Sequence, residues 1–268
     1  MSRVLTYWPV FLITIATQSA IAKNNEGLSC KLEEVSHYLQ VKVVLEQGIH
    51  DTWNSVTYDI RIDERVAMYY LNLVMKEYCK YPEGYLQKAN INTIVITRNL
   101  KFNDQPRAAI PDPLRKQLYL SVNGAFVVAS ERYLTHVMHH ELHHCTEHAI
   151  WSSMTFDWHD WMILNGDGFC YGDGGESAYR TFMKDGVDYY SPSNPHHGFI
   201  NRYSMTGDEE DRAEIMAFIM TDRELESFIG LYKKDQTIRN KTKLLFKLIH
   251  DFSDSQMYFP KILEPVPL

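Results

Sequence analysis

The chain has 268 residues, with 27 basic against 34 acidic side chains and a formal charge of −7 at pH 7. So acidic a chain, with no basic tract, argues against nucleic acid as partner and against an anionic membrane surface, and mildly favours basic or neutral substrates. Its 45% hydrophobic content and 17 tyrosines belong to a folded protein, long enough for one sizeable core.

At the N-terminus, Arg3 precedes a mostly apolar run from Val4 to Ala16, and Ala20-Ile21-Ala22 offers small residues where a signal peptidase cuts. The apolar run is short for a bilayer span, so residues 1–22 read as a secretory signal peptide. The mature domain is expected over residues 23–268, secreted or periplasmic, without stable membrane insertion. Cys30 lies too far downstream for a lipid anchor. In an exported chain, Cys30, Cys79, Cys145 and Cys170 suggest two disulfides, and spacing favours Cys145 with Cys170 and Cys30 with Cys79.

Asp63 to Tyr81 reads as a helix, capped by Asp63 and carrying Val66, Tyr69, Tyr70, Leu73 and Met75 at near-helical spacing. Pro82-Glu83-Gly84 ends it. Ile91 to Thr97 is rich in β-branched residues and reads as a strand, Asn103 to Pro113 as a loop, and Lys116 to Val122 as a second strand. That second strand is a candidate edge for pairing with an extended substrate. Residues Glu131 to Ile150 contain no Gly or Pro and form the central helix candidate. Between Trp151 and Gly198 the texture turns to Gly, Asp, Asn, Ser and aromatics, which reads as a long loop. Helices follow over Asp208 to Met220 and Thr237 to Phe252. No repeat or linker divides the chain, and the order of elements describes a mixed α+β domain.

The central helix carries His140-Glu141-Leu142-His143-His144. Residues four apart project from nearly one side of a helix, so His140 and His144 can bind one ion. Glu141, about 100° around the helix, can take a proton from a water that zinc has acidified. Six histidines fall between His136 and His148, so a non-catalytic, His-rich metal-binding helix is the competing reading. Only one register, however, sets a Glu directly after the first His and a second His three beyond it.

Catalytic zinc takes three protein ligands and keeps a position open. The metzincin continuation fails, because Glu147 and Ile150 occupy the positions it needs. Asp167, shortly before Tyr171-Gly172, is one candidate third ligand. Tyr203-Ser-Met-Thr-Gly-Asp-Glu-Glu210-Asp-Arg-Ala-Glu214 supplies a better one. Glu210 and Glu214 share a helix face, so one carboxylate can bind metal while the other bonds a ligand imidazole. Tyr203 stands just ahead of them.

With His140-Glu141-x-x-His144, Tyr203, Glu210 and Glu214 in this order, the chain resembles the catalytic half of the anthrax lethal factor-like zincins. It is similar also to a broader set of bacterial proteins grouped as zinc-binding metallopeptidases, through Gly198-Phe199-x-x-x-Tyr203 and Glu210-Asp211-x-Ala213-Glu214. The likeness covers about residues 90–252. It implies a gluzincin fold with one zinc per chain on His140, His144 and Glu210, and Glu141 as general base. It further implies Tyr203 as donor to the oxyanion and Glu214 behind the ligands. The expected function is then exported zinc metalloendopeptidase, a hydrolase of protein or peptide substrates. The alternatives are a zinc-stabilised binding or toxin-like protein without turnover, and an amidase acting on a non-protein amide.

Overall fold

The first long helix starts where a side chain can satisfy its opening amides. Asp63 accepts from the backbone N–H of Arg65 and Val66, and the helix that follows (α2, Glu64–Tyr78) buries Ala67, Tyr70, Leu71, Leu73, Val74 and Tyr78. Val66 and Tyr69, which the sequence spacing assigns to the same face, are instead exposed. The computed structural model describes residues 27–45, 55–59, 62–124, 130–153 and 155–263. The expected signal peptide and the start of the mature chain lie outside the described residues.

A helix over residues 27–39 (α1) leads into β1 (Lys42–Leu45), and β2 (Val56–Asp59) precedes α2. A short α3 (Tyr85–Lys88) then introduces β3 (Thr93–Phe102), the central strand. β3 pairs in parallel with β1 on one side and with β6 (Gln117–Ser121) on the other. Its first half is buried on both faces, as the run Ile94-Val95-Ile96 requires of a strand with neighbours on each side.

The expected loop from Asn103 to Pro113 is partly strand. β4 (Gln105–Pro106) pairs with β3, and β5 (Ala109–Asp112) pairs antiparallel with β6. The strand order β1-β3-β6-β5 makes β6 an interior strand and leaves β5 with one neighbour among the described residues. Pro111 hides this strand in the sequence, because proline in a sheet is confined to edges.

Helices cover the rest: α4 (Glu131–Trp151), α5 (His159–Met162), α6 (Gly175–Asp185), α7 (Asp208–Met220), α8 (Asp222–Lys234) and α9 (Gln236–Phe252). The architecture is α+β, one domain with a small sheet. No described helix is long and apolar enough to cross a membrane.

The expected disulfides are absent. All four cysteines are free, with Cys145 buried and Cys30, Cys79 and Cys170 exposed. Cys145 turns into the main core, whereas the neighbours of Cys170 pack elsewhere: Phe169 meets Phe199 at 4.5 Å between ring centroids and Tyr171 bonds Asp211.

The segment expected as one long loop carries α5 and α6, and a buried polar knot ties it in place of a disulfide. One carboxylate oxygen of Asp211 accepts from Lys241 Nζ at 2.6 Å, Tyr171 Oη at 2.8 Å and Trp161 Nε1 at 3.1 Å. The next residue, Arg212, is fully buried, donating to Glu147 and, at 2.5 Å, to Asp208. Removing one partner of a buried pair strands the others without solvent, so Arg212→Leu should cost about 3–5 kcal/mol in urea unfolding. Burial pushes the Glu147 carboxyl up, but Arg212 and His143 overcome it and hold it at about 2 against an ordinary 4.5. That contribution is complete above 4.5 and is lost as pH falls towards 2. The leucine variant should therefore lose this part of the acid limb; an unchanged stability-against-pH curve would refute it.

Candidate metal centre

α4 begins with Ser130 accepting from the Tyr133 N–H and Glu131 in its first turn, two features that favour a helix start. From Leu134 to Glu147 most of its residues are buried, including five of the histidines. The histidines divide by the carboxylate that stands opposite. His139 bonds Glu77 at 3.0 Å and Tyr81 Oη at 3.0 Å, and His143 bonds Glu147 at 2.9 Å. His140 and His144 face one another instead, their Nε2 atoms 3.1 Å apart.

The third member comes from α7. This helix opens with Asp208, Glu209, Glu210 and Asp211, acids that suit a helix N-terminus, and it is buried on all sides from Asp211 to Met220. Glu210 Oε2 lies 2.9 Å from His140 Nε2 and 3.4 Å from His144 Nε2. Donors about 2.1 Å from a tetrahedral zinc stand roughly 3.4 Å apart, so these three atoms are spaced for one ion.

The electrostatics agree. Burial would push the Glu210 carboxyl up, yet hydrogen bonds and charge from His140 and His144 hold it well below the carboxylate range. Burial would depress both imidazoles, but Glu210 raises them, with Glu214 adding to the pull on His140. Glu210 and the two imidazoles thus hold one another by charge inside the buried pocket.

Glu214 sits one turn further along α7. Its Oε1 bonds His136 Nε2 at 2.9 Å and lies 3.0 Å from His140 Nδ1, in ion-pair range though off the hydrogen-bond axis. Its Oε2 accepts from Asn201 Nδ2 at 2.5 Å. Burial raises this carboxyl, but the charge and hydrogen bond of His136, then the nearby His140, hold it at about 2.

Glu141 lines the same cleft, about 320 Å³, with His140, His144, Glu210 and Tyr203. Burial raises its carboxyl, against the opposing pull of His140 and His144. The Tyr203 hydroxyl donates to Glu210 Oε1 at 3.1 Å, and its ring lies 5.7 Å from that of His140.

The cleft also holds residues that the motifs do not reveal. Gly172 N donates to Met205 O and Gly174 N to Thr206 O, straps that carry the start of α6 over the site. A Cβ on Gly175 would stand 2.3 Å from the Tyr203 hydroxyl and 2.8 Å from Glu210 Oε1, so a larger residue there would displace one or both of these site groups. On the sheet side the cleft is walled by Arg107, Ala109, Ile110 and Pro111. Among the described residues two His–carboxylate groups have metal-ligand spacing, His140–His144–Glu210 and His136–His140–Glu214, and Asp167, exposed on its loop, belongs to neither.

No family model matches the sequence, and no curated protein matches it. Among solved structures the chain is similar to a Bacteroides caccae protein described as a "putative zinc-binding metallo-peptidase", with 15% identity, a TM-score of 0.55 and 90% of each chain covered. At that identity the likeness establishes the fold, and the chain has the architecture of that protein.

Proposed function

We propose that the chain is an exported zinc-dependent endopeptidase whose metal is held by His140, His144 and Glu210. The observation that carries the reading is the meeting of two imidazole Nε2 atoms and one carboxylate oxygen within 3.4 Å, in a cleft that also presents Glu141 and Tyr203. The name of the structurally similar protein points the same way. Zinc bound there would acidify a water and polarise the substrate carbonyl. Glu141 takes the proton of the attacking water and passes it to the leaving amine. Tyr203 turns its hydroxyl from Glu210 to the developing oxyanion.

Substrate enters along β5. Ser121 N donates to Ala108 O, so the groups of Ala108 face β6, and the N–H and C=O of Ala109 face outward by strand alternation. An extended peptide can add there through main-chain hydrogen bonds.

The reading is tested by metal analysis of purified protein with a chelator-sensitive digest of a peptide library. Zinc without cleavage would return the non-catalytic alternative, and no zinc would sink the proposal. Within it, Tyr203→Phe should lower kcat by on the order of a hundredfold with little change in KM, since the lost bond forms in the transition state. A near-parental kcat would leave Tyr203 as a packing residue.

A further inference from the structure

His136 is buried on α4 one turn before His140, and the mechanism above gives it no task. Both of its ring nitrogens are engaged by carboxylates. Nε2 bonds Glu214 Oε1 at 2.9 Å, and Nδ1 bonds Glu224 Oε2 at 2.6 Å. The other oxygen of Glu224 accepts from Arg132 Nε at 2.7 Å. Phe218 closes the ring edge-on, with centroids 5.3 Å apart. A continuous chain therefore runs from half-exposed Arg132 through Glu224, His136 and Glu214 to His140, drawing on α4, α7 and α8.

Glu214 Oε1 is the pivotal atom, since it faces His136 Nε2 and His140 Nδ1 at once. A carboxylate with one fixed partner can still turn about its last torsion. With Asn201 on one oxygen and His136 on the other, Glu214 is held in plane, and the ring of His140 is set against it.

We infer that His136 is a positioning residue for the candidate metal centre, locking Glu214 so that His140 presents Nε2 towards Glu210 and His144. The inference rests on the proposed reading of that centre as a zinc site. Groups bonded behind metal ligands change affinity by about 10–100-fold when removed. One step further out, the effect belongs at the lower end of that range.

The test measures zinc affinity by competition with a chromophoric chelator, alongside thermal unfolding and the visible spectrum of the cobalt-substituted protein. His136→Leu should fold, bind zinc about tenfold more weakly and shift the cobalt bands. His136→Gln, whose amide can still donate to Glu214, should recover most of the affinity. A residue that only fills space would predict the reverse order, with leucine the better substitute. If the leucine variant fails to fold, Glu224→Ala takes its place. Glu224 lines a separate small pocket of about 210 Å³ beside His136, and its loss should weaken zinc binding in the same direction. Parental affinity and cobalt spectrum in a folded variant would overturn the inference and leave the zinc site standing. A parent chain that takes up no metal would overturn both.

Discussion

Replacing Glu141 by Gln is expected to leave fold and zinc content unchanged and to lower turnover by on the order of a thousandfold. The two side chains have the same shape, so the packing of α4 is preserved, but the amide cannot accept a proton. Glu141 and Glu209 are the carboxylates of the cleft that have no place in the three-atom cluster, and Glu141, next to the ligand His140 on the same helix, is the one proposed for proton transfer. Burial lifts its carboxyl above the ordinary range, moderated by His140 and His144. That direction suits a base that must both take and return a proton near neutral pH. Metal analysis, circular dichroism and steady-state cleavage of one peptide check the three parts separately. Activity within tenfold of the parent would remove Glu141 from the mechanism.

Glu210→Ala is expected to act on the metal itself. Two imidazoles would remain, a pair that cannot by itself complete the three-ligand site of a catalytic zinc. The loss of zinc affinity should exceed the roughly 10–100-fold that follows removal of a group behind the ligands. Asp167→Ala, on an exposed loop, should leave metal content at the parental level and so serves as the control. Equilibrium dialysis with zinc distinguishes the two. If Asp167→Ala strips the metal while Glu210→Ala keeps it, the ligand set argued here is wrong.

What the amino-acid sequence determined by itself was local. The pitch of a helix puts His140 beside His144 and Glu210 beside Glu214 wherever the helices lie, so spacing alone revealed both pairs. End signals are local too, and Asp63 caps its helix as the sequence predicts. Tertiary structure decided everything that joins distant segments. His140 and Glu210 are 70 residues apart, and only the packing of α4 against α7 turns Glu210 to the imidazole Nε2 atoms and Glu214 to His136. The histidines of α4 look alike in sequence, and what separates them is whether Glu77, Glu147 or Glu210 stands opposite. The edge of the sheet lies beyond the reach of the sequence for the same reason. β6 has the alternation of a strand, but whether a strand is an edge depends on a neighbour, and that neighbour is β5, concealed by Pro111. The cysteines followed the packing as well, Cys145 into the core and Cys170 to the surface. Periodicity reports which way a side chain faces along its own helix or strand, whereas what it meets there depends on contacts between segments far apart in the chain.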